Sequence, residues 1–402
     1  MNSSLRVALF TDSFQEANGV ATFSRNLAHF THQEDIPFLC VHGSKQTRVR
    51  QERFSTTVEL KRSLASFPLD RGLYFDPLLN RHRNWAVGQL QSFKADLVHI
   101  TGPGDVGILG FWAAHILRIP LVASWHTNLH EYVARRLDHA LRRTPARFRE
   151  RITGTVEGQS LRGLMRFYRL PSFLLAPNRS MVDLLQERTG RPAFLMGHGV
   201  DLQRYSPRPA GTRNVPFCIG YVGRLTPEKN ARYFAELERN LVAAGETNFR
   251  FLLVGEGSEE KWLKQNLRLA EFPGVLRDEE LAAAFANMDA FVFPSRTDTF
   301  GLVLLEAMAS GVPVVLSPVA GTRLGMADGE GGYLAEDFTE CVLRLMRNDT
   351  LRRNLGVAAR QFACSRGWRD VFRDLYLTYE KGLQVEDGRR AIAEARKARG
   401  SR

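Results

Sequence analysis

Two carboxylates and two cations stand where loops should follow buried strands. Asp298 and Glu306 are separated by seven residues in SRTDTFGLVLLEAMASGVPVV (Ser295 to Val315), which begins polar, continues as a helical pattern and ends as an apolar strand. Carboxylates accept paired hydrogen bonds from vicinal diols, which sugars and riboses both offer. At a rise of ~1.5 Å per residue, Asp298 should precede the helix and Glu306 should lie about two turns inside it. One acid can then face a ligand's head while the other reaches deeper, and a nucleotide sugar would satisfy both. The plainer readings are an ordinary N-cap for Asp298 and a helix-surface or paired buried acid for Glu306. A glutamate between LVLL and AMASG is nevertheless costly to bury without a partner.

The cations belong to GYVGRLTPEKN, which places Arg224 and Lys229 after an apolar run, with Gly223 keeping the backbone close. Such a pair would neutralise a diphosphate and stabilise it as it departs; the plainer alternative is solvated surface charge. His126 ends the apolar run in ASWHTNLHEY, where an imidazole can hydrogen-bond a sugar hydroxyl or stabilise developing charge. His130 follows, but HTNLH lacks the glutamate of HExxH and has no evident third ligand, so a sugar role is favoured over a metal site. In TDSFQEANGVATFSRNL, Asn18 and Gly19 precede a helical pattern, where glycine lets backbone N–H groups approach an anion. An ordinary turn and cap fits that stretch equally well. No GxGxxG follows, which weakens a dinucleotide dehydrogenase.

These residues need strands to hold them. Short apolar runs alternate with longer helical patterns, the signature of βαβ units and parallel sheets. Strands are expected in LRVALFT, PFLCVHG, ADLVHIT, PLVASWHT, SFLLAPN and PAFLMGH. The polar stretch DLQRYSPRPAGTRNVP (Asp201 to Pro216) then reads as an interdomain linker. The alternation restarts in PFCIGYVGRL, FRFLLVGEG, DAFVFPS and VPVVLS. The expected organisation is a first α/β domain over 1–203, a second over 204–367, a helix over 368–386, and a charged flexible tail over 387–402. Ligands of doubly wound sheets bind at the carboxyl ends of the strands, so two such domains would share a cleft.

The 402 residues are 44% hydrophobic, enough for large cores, and carry a formal charge of +12, which favours anionic partners without choosing among them. Cys40, Cys218, Cys341 and Cys364 are scattered without CxxC spacing and read as reduced core thiols of a cytoplasmic protein. No apolar stretch reads as a signal peptide or a membrane span, so any membrane contact should be peripheral. The basic segment over 135–169, with interspersed Leu, Ile, Met, Phe and Tyr, could rest on anionic lipids at the inner face of the membrane, or could simply solvate outer helix faces.

Taken together, FPSRTDTFGLVLLEAMASGVPVV, GRLTPEKN and SWHTN, in that spatial logic and in the expected order along the chain, resemble the retaining nucleotide-sugar glycosyltransferases of family 4 (group 1). The resemblance spans nearly the whole chain and includes bacterial mannosyl, glucosyl and sulfoquinovosyl transferases. It implies the GT-B fold, an α/β architecture of two doubly wound Rossmann-like domains facing a central cleft. Its most specific element is the E-x7-E motif, here Asp298 and Glu306, with Asp in place of the usual first glutamate.

Carried over, the resemblance implies that Glu306 binds the donor ribose. Asp298, with Thr299, Phe300, Gly301 and Leu302, would contact the donor sugar. Arg224 and Lys229, after Gly223, would hold the diphosphate, with Gly19 approaching it and His126 beside the sugar. MGHGVD at Met196 to Asp201 departs from the family's usual asparagine before GVD. The resemblance further implies transfer of a hexose with retained configuration, a leaving diphosphate that helps deprotonate the acceptor, and a final helix returning to the first domain. The expected donor is GDP-mannose or a UDP-hexose, the acceptor is lipid-linked or a glycan, and neither cofactor nor metal is needed. Closure about Asp201 to Pro216 is expected on donor binding. Two other classes remain open: a noncatalytic binder of nucleic acid or an anionic surface, and a GT-B-like epimerase or phosphorylase. The ordered strand-end motifs count against nucleic acid, since such binding would not require them.

Overall fold

The apolar runs become the strands of two parallel sheets in a computed structural model that describes residues 5–16, 18–70, 73–126, 159–209, 215–295, 298 and 300–400. The chain divides into two compact units: Met1–Gly197 with Phe372–Arg402, and His198–Val371. These boundaries fall a few residues from those expected at 203/204 and 367/368.

The first unit is built on β1 (Val7–Thr11), β2 (Phe38–Ser44), β3 (Arg48–Gln51), β4 (Ser55–Lys61), β7 (Leu97–Ile100), β8 (Leu121–Ser124), β9 (Phe173–Ala176) and β10 (Ala193–Leu195), in the order β10-β9-β8-β7-β1-β2-β4-β3. β5 (Phe67–Asp70) and β6 (Leu73–Phe75) pair separately as an antiparallel hairpin. β1 is buried throughout and pairs in parallel on both sides, Val7 facing Phe38 of β2 and Leu97 of β7. Burial on both faces explains why its sequence is an unbroken apolar run rather than an alternating one.

The second unit holds β11 (Phe217–Val222), β12 (Phe249–Val254), β13 (Ala270–Gly274), β14 (Ala290–Phe293), β15 (Val314–Leu316) and β16 (Gly332–Leu334), all parallel, in the order β13-β12-β11-β14-β15-β16. The strand order reverses between β11 and β14. The loops leaving these two neighbouring strands therefore open at a topological switch point, where doubly wound sheets bind their ligands.

Several expectations need correction. β3, β4, β5, β6, β13 and β16 were not anticipated as strands; β3 is RVRQ, wholly exposed, an edge strand whose charge hides it from an apolar-run search. The stretch Asp201 to Pro209 is not a free linker. Tyr205 is buried edge-on against Phe285, Arg204 pairs with Asp278 at 3.2 Å, and Arg208 donates to Asp289 at 2.6 Å, all within the second unit. A hinge across that stretch would have to break these contacts, while 210–214 lie outside the described residues.

From 387 to 400 the expected flexible tail is helical, since one 33-residue helix runs Trp368–Gly400. Ala, Glu, Lys and Arg are strong helix formers, so high charge there does not mean disorder. From Phe372 onward this helix belongs to the first unit. Only two of the four thiols are core residues: Cys40 and Cys218 are buried, Cys341 is half-buried and Cys364 is exposed.

Most of the basic segment lies outside the described residues. Over 159–168 it is helical, and Met165 and Tyr168 are buried in the first unit's core, Tyr168 5.1 Å from Trp125. Those apolar side chains serve packing rather than a lipid-facing stripe. Among the described residues no helix is long and apolar enough to cross a membrane.

Candidate active site

In the second unit, β11 ends in the buried Tyr221 and Val222 and passes into Gly223, whose N–H donates to Val254 O at 3.0 Å. The following loop is pinned by backbone bonds to its neighbour after β12: Leu225 N donates to Glu256 O, and Glu259 N to Leu225 O, both at 2.9 Å. Gly255 makes this approach feasible. Its φ is +132°, and a Cβ there would overlap the Gly223 carbonyl oxygen. Tyr221 Oη donates to Arg224 O at 2.9 Å, so a buried ring also holds the turn. Arg224 leaves about half of its side chain in solvent (52%) and pairs with Glu228 at 3.5 Å. Lys229 ends the short 3-10 turn Pro227–Lys229, and its side chain is only 16% exposed.

Lys229 Nζ forms an ion pair with Asp298 Oδ1, bringing the loops after β11 and β14 together. Burial raises the Asp298 pKa, but the Lys229 ammonium, the Ser295 hydroxyl and Arg224 outweigh it and hold the carboxyl below its ordinary value. Asp298 is therefore a carboxylate at neutral pH. It is not the cap of the following helix. That helix is Leu302–Ala309, and its N-cap is Gly301 at φ +79°, a left-handed position suited to glycine. Because the helix starts at Leu302, Glu306 lies little more than one turn inside it, rather than two.

Glu306 has a different environment. It accepts a hydrogen bond from the Tyr205 hydroxyl and feels the Arg204 charge, but burial dominates and pushes its carboxyl up to about 7. The Tyr205 phenol is itself pushed upward, by burial first and then by Glu306. Arg360 fixes this corner, donating to Tyr205 O at 2.7 Å, Ala309 O at 2.5 Å and Leu202 O at 3.2 Å. His198, where the resembling family usually has asparagine, stacks on Phe300 at 4.6 Å and 22°. Phe300 is buried and Leu302 half-buried, while Thr299 lies outside the described residues.

In the first unit, β1 leads to Asn18, which caps the helix Gly19–Gln33 by accepting from Ala21 N at 2.9 Å. Gly19 is exposed at the first helical position. Asn18 also donates to Ser13 Oγ at 3.2 Å, and Arg25 donates to Phe14 O at 2.5 Å, so the loop is tied down. Asp12, just after β1, accepts from the N–H groups of Gly104, Val106 and Gly107 at 3.0–3.2 Å, capping the helix Asp105–Leu117. Burial first, and then the Asp105 charge, raise its pKa to about 7. His126 follows β8 and is half-buried, its Nε2 2.8 Å from Ser124 Oγ. His130 lies outside the described residues, and no cluster of three metal-ligating side chains occurs among the described ones.

The structure thus brings Gly223, Arg224, Lys229, Asp298, Phe300, Gly301, Leu302 and Glu306 to the switch-point end of one sheet. Gly19 and His126 occupy strand ends of the other sheet. Tyr205, Ser295, Glu228 and Arg360 escape the sequence reading. Glu228 and Ser295 stand inside the quoted motifs, beside the Arg224 and Asp298 that they contact, whereas Tyr205 and Arg360 act through contacts distant in sequence.

Comparison with known proteins agrees with this geometry. Residues 17–204 match the family described as Glycosyltransferase Family 4, and residues 216–348 match Glycosyl transferases group 1. A GDP-mannose-dependent alpha-mannosyltransferase of Mycolicibacterium smegmatis is 32% identical over 77% of this chain and 78% of its own length. Sucrose-phosphate synthase of Thermosynechococcus elongatus superposes with a TM-score of 0.69 at 16% identity, covering 95% of this chain and all of that one. HepE of Anabaena, solved with UDP and glucose, gives 0.64 at 16% identity over 94% and 99%. Two Rossmann-like units, strand-end charges and this kinship lead to one assignment: the chain belongs to family 4 (group 1) of the glycosyltransferases and has the GT-B fold.

Proposed function

We propose that this glycosyltransferase moves a hexose of the mannose or glucose type from a nucleoside-diphosphate sugar to a lipid-linked or glycan acceptor, with retention of configuration and without a metal ion. The observation that carries the reading is the placement of Lys229, Asp298 and Glu306 at the switch point of the second sheet, a cation paired with one of two acids whose carboxyls are shifted in opposite directions. The kinship with a GDP-mannose-dependent enzyme supports GDP-mannose as the first donor to try, ahead of a UDP-hexose.

In this reading Glu306 accepts hydrogen bonds from the ribose diol, and Asp298, with the backbone over 299–302, receives the sugar hydroxyls. Arg224 and Lys229 neutralise the diphosphate as the glycosidic bond to it breaks, so that negative charge develops against cations already in place. The departing phosphate oxygen takes the acceptor's proton on the same face, which retains the anomeric configuration. Gly19 and His126 are assigned to the diphosphate and the sugar respectively. The reaction is placed on the cytoplasmic side, where nucleotide sugars are available.

The test is incubation with GDP-mannose, UDP-glucose and ADP-glucose in the presence of EDTA, with anomeric configuration read by NMR. Retained configuration and undiminished turnover in EDTA are expected. Inversion, or activity restored only by a divalent cation, refutes the mechanism. Absence of donor consumption with any sugar nucleotide, in the presence of a membrane lipid extract as acceptor, refutes the function.

A further inference from the structure

Four polar groups form a continuous chain through the first unit, from the last helix to His126. Tyr379 Oη lies 2.7 Å from His99 Nδ1, His99 Nε2 lies 2.9 Å from Ser124 Oγ, and Ser124 Oγ lies 2.8 Å from His126 Nε2. Tyr379, His99 and Ser124 are each wholly inaccessible to solvent, and Phe23 packs against both imidazoles, with centroids 6.2 and 5.2 Å away.

The direction of donation along this chain follows from its buried end. Among the described residues, His99 is the only hydrogen-bonding neighbour of the Tyr379 hydroxyl. If that hydroxyl accepted from His99, its own hydrogen would be buried without an acceptor, which is costly. Tyr379 therefore donates to His99 Nδ1. Burial holds the His99 pKa down at about 3, so its ring is neutral and carries one N–H and one acceptor nitrogen. With Nδ1 accepting, Nε2–H must donate to Ser124 Oγ. The single hydrogen of Ser124 then has two acceptors to choose from: His126 Nε2 at 2.8 Å, or Ile100 O at 3.5 Å. The second is beyond the usual range for an O–H donor, so the hydrogen goes to His126.

We infer that Tyr379, His99 and Ser124 are positioning residues that fix His126 as its Nδ1–H tautomer, so that the Nδ1 face of the neutral ring is a hydrogen-bond donor and not a proton acceptor. The functional meaning rests on the role proposed for His126: a donor suits a sugar hydroxyl or a phosphate oxygen, and leaves the acceptor's proton to the departing diphosphate. The tautomer itself does not depend on that role.

The experiment uses the full-length protein with 15N-labelled histidine, the His126 signals being assigned by their loss in His126→Asn. At neutral pH, His126 Nε2 should show a pyridine-type shift and Nδ1 a pyrrole-type shift. Tyr379→Phe and Ser124→Ala, each close to isosteric, should both move the ring toward the Nε2–H form that free histidine favours in water. A wild-type ring in the Nε2–H form, or an unchanged tautomer in both variants, overturns the inference. Donor turnover is measured on the same samples. A tautomer shift with turnover unchanged would establish the chain of bonds and refute the role assigned to His126, so the two failures are distinguishable.

Discussion

In the donor site proposed above, Glu306 should supply a pH signature for nucleotide binding. Burial raises its carboxyl to about 7, against an ordinary value of 4.5, despite the hydrogen bond from Tyr205. A ribose diol donates hydrogen bonds to the carboxylate, so binding should favour the ionised form and draw its pKa down. With a free-state value near 7, apparent affinity is reduced by the protonated fraction, about elevenfold at pH 6 and hardly at all at pH 8. Nucleoside diphosphate should therefore bind roughly tenfold more tightly at pH 8 than at pH 6, about 1.4 kcal/mol. Isothermal titration calorimetry at both pH values measures this. Glu306→Gln is the control, because it keeps the shape and removes the titration while leaving the ligand's own terminal phosphate to titrate as before. The same group sets a stability trend of opposite sign. Between 4.5 and about 7 the native state keeps a proton that the unfolded chain has released, so this contribution makes stability fall as pH rises, by at most about 3 kcal/mol, and then level off. Equal dissociation constants at pH 6 and 8, or the same slope in wild type and Glu306→Gln, would refute the reasoning.

Lys229→Ala should leave the Asp298 carboxylate buried without its cation and cost about 3 kcal/mol in chemical denaturation, most of it recovered in Lys229→Ala/Asp298→Asn; no recovery would mean that the pair does not set the loss. Gly255→Ala combines φ +132° with overlap on the Gly223 carbonyl and should lower stability by about 1–3 kcal/mol, a wild-type urea midpoint counting against that packing. One of GDP, UDP and ADP, at about 100 times its dissociation constant, should stabilise the native protein by about 2.7 kcal/mol, with Arg224→Ala weakening the effect. If none of the three shifts the melting curve, the diphosphate site is misplaced.

The fold was legible where burial removes the ambiguity of short apolar runs. β1, β2, β7, β11, β12 and β14 are predominantly apolar and largely buried because both faces of a parallel sheet are covered, and each lies inside a stretch expected to be a strand or, for β2, within one residue of it. β3 and β13 were not legible for the converse reason. As edge strands they are polar or half-exposed, and pairing with one neighbour is what makes them strands. The reach of the final helix was missed because charge was weighed above propensity. DGRRAIAEARKAR is rich in Ala, Arg, Glu and Lys, and such a stretch continues a helix that packing has already nucleated.

The site was half legible, and the division has a physical cause. Strand-end position can be read from a pattern, so the cations of GRLTPEKN and the acids of the E-x7-E-like run can be placed at a strand-end edge from the sequence alone. Contacts between them cannot. Lys229 and Asp298 are 69 residues apart, and their sequence roles were assigned separately, one to phosphate and one to sugar, whereas the structure pairs them with each other. Tyr205 stood in an apparent linker, yet it caps Glu306. The two acids of the motif consequently differ in kind. Asp298 is held ionised by a cation, while Glu306 is held near neutrality by burial, and no spacing rule distinguishes them. That difference comes from what each loop is packed against, and it makes Glu306, rather than Asp298, the group through which pH should reach the proposed ligand.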